Sequence, residues 1–349
     1  MATMVVTEEE SCFLEILIPT FNRSSQLQRL LSILEQETAS VLSVVKIRIT
    51  VSDNCSTDET QLMLSRHSFG DRIVVRRNDS NLGALRNIWD LYETTRADYA
   101  WVISDDDIPK PNSLRTVIDV LLRSMPTVFT FEFEQPPVAS PKRHGNRDGI
   151  EELTDLREAL PHVLALGKLT KQVFCAQHLQ TALRNVNYSR DTGYGWLLVI
   201  LEVIHLASSP KIVIGHDFLA GCDADYAQIT DGLTPQFWDD YLLLLGHETV
   251  KLNCPSYAQA YRYGHYKFMV EVIYAVLAGE VRCADDRIFK ERGKILPFHR
   301  SYFRNPFVFL QWVSLRLGIS ASPAICRITS RYARIGRGFL SRFGIKSHC

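Results

Sequence analysis

Short apolar runs and amphipathic runs alternate five times between Phe13 and Phe133. The apolar runs are FLEILIPT (13–20), VVKIRITVSD (44–53), RIVVRR (72–77), DYAWVISDDD (98–107) and TVFTFEF (127–133). Between them, apolar residues recur at helical spacing, as in Leu27, Leu30, Leu31 and Leu34, or Leu114, Val117, Ile118 and Leu121. The connections are short. This alternation predicts an α/β fold: an open, mostly parallel sheet with helices on both faces. Crossovers in such sheets are right-handed, and ligands sit at the carboxyl ends of the strands. Three polar clusters fall at such ends, Pro19–Arg23, Asp53–Asp58 and Asp105–Asp107, and should converge on one rim.

Local signals refine the elements. Ser24 or Ser25 can cap the first helix, and Ser56 with Glu59 has the spacing of a capping box for the second. Pro111 and Asn112 open the helix after the acidic run. The stretch 134–149 is rich in Pro, Gly and charge and reads as a mobile loop. Beyond it the pattern predicts a helix at 151–166, a strand at 168–177, a short helix, and a polar turn NYSRDTGYG (187–195). An apolar helix at 196–207, a strand at 211–219 and helical sequence from about 235 to 282 follow.

Composition sets bounds. The chain is 46% hydrophobic and 22% charged, with 39 basic and 39 acidic residues. A balanced charge gives no overall attraction to nucleic acid. The tail is different: after Glu291 there is no acid, while Arg292, Lys294, Arg300, Arg304, Arg316 and further cations follow, interleaved with aromatics. That mixture suits a peripheral segment on an anionic membrane, or a basic helical unit that packs its aromatics inward. The eight cysteines are scattered without a CxxC pair, which argues against a disulfide framework or a zinc site. The start, MATMVVTEEESC, lacks the features of a signal peptide. The longest apolar runs carry Glu202 and Arg316 and fall short of the roughly twenty residues that a spanning helix needs. The expectation is a cytoplasmic protein, peripheral on the inner face of the cytoplasmic membrane if the tail docks there.

The acids Asp105, Asp106 and Asp107 demand compensation. At about 4 Å, two like charges near a protein surface repel by about 4 kcal/mol. Hard divalent ions, Mn²⁺ or Mg²⁺, take carboxylate and phosphate oxygens and would supply it. Acids before PKPNSL can equally serve a helix N-terminus. Asp53 has two readings of the same kind, a turn cap or a ligand acceptor. Arg86 is either a solvated helix charge or a phosphate clamp, and Gly83 alone is an ordinary turn glycine.

Taken in order, LEILIPTFNRSS, ITVSDNCSTDET, NDSNLGALRNIW and YAWVISDDDIPKP resemble the inverting family 2 glycosyltransferases of the GT-A fold, a Rossmann-like architecture. The matching positions are Ile18–Arg23, then Val51, Asp53, Asn54, Ser56, Thr57 and Asp58, then Asn81, Gly83 and Asn87, and finally Asp105–Asp107 with Pro111. The style is similar to enzymes of O-antigen and capsular polysaccharide synthesis. The resemblance extends from the start of the chain to about Gln135.

It implies residues 1–133 as the nucleotide-sugar half, 134–234 as the acceptor half and 235–349 as a helical basic region. It implies Pro19, Thr20 and Phe21 around the nucleobase, with Arg23 beside them, and Asp53 accepting from the base, typically uracil of a UDP-sugar. Asn54, Asn81 and Gly83 belong to the same donor site, Arg86 to the diphosphate and Asp105 to the ribose or sugar. The implied metal, Mn²⁺ or Mg²⁺, would be held by Asp106 with Asp107, and by His216 as a further ligand or else a structural histidine. Its role would be Lewis-acid stabilisation of the leaving nucleoside diphosphate. The family's general base is an Asp at a helix start in the acceptor half. Neither a clear ED nor a QxxRW stands here, and Asp191, before the apolar helix, is the candidate. The acceptor would be a saccharide or a lipid-linked saccharide. Two alternatives stay open. A sugar nucleotidyltransferase would carry a GxGTRxxP-like loop, which PTFNRSS lacks. A non-catalytic sugar-nucleotide-binding protein would lack a working base.

Overall fold

A computed structural model describes residues 13–41, 43–66, 73–134, 149–164, 169–186, 195–222 and 246–253. The expected strand–helix alternation is present. β1 (Leu14–Thr20), α1 (Ser24–Ala39), β2 (Ile47–Asp53), α2 (Thr60–Arg66), β3 (Ile73–Arg77), α3 (Ala84–Thr94) and β4 (Tyr99–Val102) follow in order. Then come β5 (Asp107–Pro109), α4 (Ser113–Ser124), β6 (Val128–Glu134), β7 (Ile150–Leu153) and α5 (Leu156–Leu164). A 3₁₀ turn at Leu169–Lys171, β8 (Gln172–Cys175), α6 (Ala176–Asn185), α7 (Gly195–Leu206), β9 (Ile212–Cys222) and α8 (Glu248–Asn253) complete the described elements.

One sheet joins the described strands in the order β3-β2-β1-β4-β8-β6-β9, and the far edge of β9 carries β7 and then β5. β1, β2, β3 and β4 are mutually parallel, as are β6 and β9, while β8, β5 and β7 run antiparallel to their neighbours. The sheet is therefore mostly parallel. Its central strands are covered on both faces, which is why YAWV of β4 is buried throughout. Alternate residues of β1 and β2 divide between two helix layers. Leu14, Ile16 and Ile18 with Ile49 and Val51 pack against Leu27, Leu30, Leu31 and Leu34 of α1 and Leu114, Val117 and Leu121 of α4. Each fully buried leucine contributes roughly 1.5–3 kcal/mol. The opposite face meets α3 and α6, where Tyr92 and Phe174 meet edge to face at 6.0 Å.

Several local expectations change. The run 98–107 does not continue as one strand. It stops at Val102, turns through Ser104–Asp106 with Asp107 N–H donating to Ser104 O (3.0 Å), and restarts as β5 against β9. The helix expected at 151–166 begins only at Leu156, because 150–153 add an edge strand to β9. The strand expected at 168–177 opens with a 3₁₀ turn and ends at Cys175.

Helix caps also come from elsewhere. At α1 neither Ser24 nor Ser25 caps; Ser24 N–H donates to Asp58 Oδ2 (3.1 Å). The Ser56–Glu59 box does not form, since Ser56 Oγ accepts from Asn22 N–H (2.9 Å) and Asp58 accepts from Thr60 instead. At α4, Glu37 of α1 accepts from Asn112 and Leu114 N–H. At α1 and α4 the acceptor is brought by the tertiary fold, whereas at α2 it is Asp58, two residues before Thr60.

The chain divides into two compact units: 1–163 with 167–190 and 199–224, and 164–166 with 191–198 and 225–349. All the described strands belong to the first. Of the second, α8 and the start of α7 are described. Among the described residues no helix is long and apolar enough to cross a membrane. The basic tail, most of the helical sequence expected at 235–282, the loop core at 135–148 and Asp191 lie outside the described residues.

Candidate functional site

The parallel register places the ends of β1 and β2 level, with Thr20 beside Asp53 and Asp53 beside Arg77 of β3. The loops beyond these ends are stitched together. Asn22, at φ 53°, donates through its N–H to Ser56 Oγ (2.9 Å) and accepts at Oδ1 from Thr57 N–H (2.7 Å). Thr20 Oγ1 donates to Asp105 Oδ2 (2.7 Å), and Arg23 Nη1 donates to Asp105 Oδ1 (2.8 Å). The three polar clusters chosen from sequence thus meet at one edge of the sheet. Phe21 stands there half-exposed and Pro19 ends the apolar part of β1.

Asp53 is fully buried. Its Oδ1 accepts from Ser56 N–H (2.9 Å), and its Oδ2 accepts from Gln61 Nε2 and from Arg77 Nη1 (2.5 Å). Arg77 also donates to Ser56 O (3.0 Å) and leaves 40% of its side chain exposed. Arg77 and Gln61 were not singled out by sequence reading. The signal for Arg77 was its place at a strand end, in a register that sets it next to Asp53.

Asn54, Asn78, Asn81 and Asn87 form a network under the loop between β3 and α3. Asn54 Nδ2 donates to Asn81 Oδ1 (2.8 Å), and Asn78 Nδ2 donates to Asn54 Oδ1 and Asn87 Oδ1 (3.0 Å each). Ser52 Oγ donates to Asn87 Oδ1 (2.6 Å), and Asn87 Nδ2 donates to Ser52 O (3.0 Å). Asn54 and Asn87 are buried, and together with the more exposed Asn78 and Asn81 they satisfy one another and hold the loop. Gly83, at φ 83° and ψ 156°, occupies a region open essentially to glycine. Arg86 runs along α3 to Asp90 (2.5 Å) and Glu93 (3.3 Å).

The three acids separate. Asp105 is buried; burial pushes its carboxyl above the ordinary aspartate value, and Arg23 and Thr20 pull it partly back. Asp106 is partly exposed and lies 2.9 Å from the same Arg23 Nη1, while Ser104 Oγ donates to its Oδ1 (2.6 Å). Asp107 turns into the sheet, buried, and accepts from Thr170 Oγ1. Thr170 also accepts from Ser104 N–H (3.0 Å) and, at its carbonyl, from Trp101 Nε1 (2.7 Å). It is a further residue that sequence reading passed over.

His216 sits within β9 beside Glu151 of β7, with Nε2 and Oε2 3.1 Å apart. Cys222, six residues on, is the residue in register with Asp107. At roughly 3.3 Å per residue that is about 15–20 Å along the strand. Among the described residues no three His, Cys, Asp or Glu side chains gather as a metal site, so Asp106, Asp107 and His216 are not brought together as one ligand set. A divalent ion held by two carboxylates and completed by substrate phosphate does fit. Asp105 and Asp106 offer hard oxygens that already converge on one cationic nitrogen.

Residues 15–186 match the model of glycosyl transferase family 2. This segment belongs to that family. An abequosyltransferase of Salmonella typhimurium is 33% identical over 114 residues, covering 32% of this chain and 33% of that protein. An uncharacterized glycosyltransferase of Haemophilus influenzae is 29% identical over 110 residues, 31% and 34% of the two chains. The matched region thus spans about a third of the length of these relatives. Among solved structures, the 1–349 fragment of S. aureus TarS has a TM-score of 0.56 at 12% identity, covering 93% of this chain and 92% of that one. The mannosyltransferase PcManGT of Pyrobaculum calidifontis, solved with GDP-Man and Mn²⁺, has a TM-score of 0.55 at 12% identity, covering 88% and 87%. These likenesses place the family 2 segment and its sheet in the GT-A fold.

Proposed function

We propose that the chain transfers a sugar, with inversion, from a nucleotide-sugar donor of the UDP-linked class to a saccharide or lipid-linked saccharide acceptor in surface polysaccharide synthesis. The observation that carries this reading is the convergence of Thr20, Arg23, Asp53 and Asp105 on one rim of a family 2 sheet. The solved relatives lend support: TarS has been crystallised with UDP-GlcNAc, and PcManGT with GDP-Man.

Pro19 and Phe21 form the apolar wall for the nucleobase. Asp53, enclosed as it is, anchors the pocket by fixing Arg77, whose exposed guanidinium face offers donors to the base or ribose. It meets the base directly when Gln61 turns aside. Asn54, Asn81 and Gly83 hold the neighbouring loop so that backbone N–H groups border the donor. Arg86 reaches the diphosphate by exchanging its helix partners for phosphate. Asp105 orients the ribose or sugar.

A divalent cation, Mn²⁺ or Mg²⁺, would be held by Asp105 and Asp106 and would supply Lewis-acid stabilisation of the departing diphosphate. Asp191 takes the proton of the acceptor hydroxyl as that oxygen attacks the anomeric carbon from the face opposite the diphosphate. A lipid-linked acceptor gives the basic, aromatic segment after Glu291 an anionic surface to dock on.

The test is a panel of UDP- and GDP-sugars offered with a lipid-linked saccharide extract. One donor should be consumed, and Asp191→Asn should lower that rate by about 10²–10⁴-fold with little change in donor affinity. Consumption of no donor would remove the transferase reading. Full activity of Asp191→Asn would remove the assignment of the base.

A further inference from the structure

The two carboxylates that would hold a divalent ion are already shared by a cation of the chain itself. Arg23 Nη1 lies 2.8 Å from Asp105 Oδ1 and 2.9 Å from Asp106 Oδ2. A single nitrogen therefore marks the point on which both acids converge. The opposite oxygen of each acid is also fixed, Asp105 Oδ2 by Thr20 Oγ1 (2.7 Å) and Asp106 Oδ1 by Ser104 Oγ (2.6 Å). The two inner oxygens are thus held toward the same place without any help from a metal.

A Mg²⁺ ion binds carboxylate oxygens at about 2.0–2.1 Å. An ion reaching both inner oxygens would overlap Nη1, and its charge would repel the guanidinium. Cation and Arg23 are alternatives. Arg23 is able to yield. It precedes the first turn of α1, in neither helical nor extended geometry, and 38% of its side chain is exposed. No backbone rearrangement is needed for the guanidinium to swing toward solvent or toward an anion.

We propose that Arg23 is a built-in competitor for the divalent cation, which keeps metal affinity low until a nucleoside diphosphate arrives and draws the guanidinium away. The inference rests on the donor-site reading above and adds an order to it. The diphosphate supplies oxygens for the metal and a new partner for Arg23, so metal and nucleotide strengthen each other's binding. By linkage the coupling is reciprocal. Without Arg23 the acids are left to the metal alone: affinity for the free ion rises and the coupling to nucleotide shrinks.

The experiment titrates Mn²⁺ by the electron paramagnetic resonance of the free ion, with and without UDP, on the full chain and its Arg23→Gln and Arg23→Lys variants. Calorimetric UDP binding is measured alongside. Arg23→Gln should bind Mn²⁺ about tenfold tighter or more in the absence of UDP, and UDP should strengthen that binding less than in the wild type. Equal or weaker Mn²⁺ binding by Arg23→Gln overturns the proposal. If Arg23→Gln does not fold, Arg23→Lys decides, because its single point charge cannot reproduce the guanidinium's reach. It should bind Mn²⁺ several-fold tighter, and equal affinity overturns the proposal. UDP binding with unchanged Mn²⁺ affinity removes this inference alone, whereas no UDP binding by any of the proteins removes the donor-site reading with it.

Discussion

Asp53 and Asp105 are both buried acids, but they are compensated differently. Asp53 has three donors, from the loop that follows it, from α2 and from β3, and Arg77 of β3 provides its counter-charge. Arg77→Met should destabilise the fold by about 1–3 kcal/mol, the cost of taking the counter-charge and one of three donors from a buried carboxylate. Chemical denaturation measures this, and a change below a few tenths would show that Gln61 and Ser56 suffice. Asp105 is the opposite case, because burial raises its carboxyl above the ordinary value despite Arg23. A raised value means the native state holds the proton more tightly than the unfolded chain does. This group's contribution is therefore complete below the ordinary aspartate range and is lost as pH climbs through the raised value. Asp105→Asn should flatten that loss, and the gap in melting temperature between variant and wild type should shift in the variant's favour as pH rises through that window. A gap independent of pH would contradict the assignment. That these acids face a common rim was legible from their positions at strand ends. The donors that enclose Asp53 were not, because Arg77 reaches it only through strand register and Gln61 only through the turn into α2, neither of which local sequence encodes.

At the level of elements, the strand–helix order up to Phe133 could be read from apolar periodicity, since the central strands are buried on both faces and the helices on one. Caps and short edge strands could not. Ser56 looked like a capping residue because it has the right spacing to Glu59. In the fold it is drawn to Asn22, and Asp58 caps two helix starts in its place. The split of 98–107 into β4 and β5 depends on pairing with β9, far along the chain, and although a strand is expected there, no local pattern announces that pairing. The loop before α3 shows what such a connection requires: four asparagine side chains tie it down, and Gly83 supplies a conformation that other residues resist. Gly83→Ala should cost about 1–3 kcal/mol through backbone strain alone, as there is open space where its Cβ would stand. Thermal unfolding reads this directly, and an unchanged midpoint would mean that the loop relaxes freely.

For the whole molecule, most strands of the described sheet lie in the segment that matches glycosyl transferase family 2, and the open rim gathers acids, two arginines and a half-exposed aromatic. The convergence of the candidate donor residues on one rim was legible because their signatures all lie between Leu14 and Pro111, at consecutive strand ends. The acceptor side was less so. Its candidate base, Asp191, lies outside the described residues, and the sequence NYSRDTGYG before an apolar run does not separate a catalytic acid from a helix cap. Metal, donor and acceptor are bound together by one claim, that this rim is a nucleoside-diphosphate site. The most direct measurement is calorimetric titration of UDP and GDP, with Mn²⁺ present, into the wild type and into Asp105→Ala. If the rim is such a site, one nucleotide binds the wild type saturably, and binding is weakened by at least about tenfold in Asp105→Ala while the variant remains folded. Absence of binding by either nucleotide to the folded wild type, or equal affinity in Asp105→Ala, would contradict it.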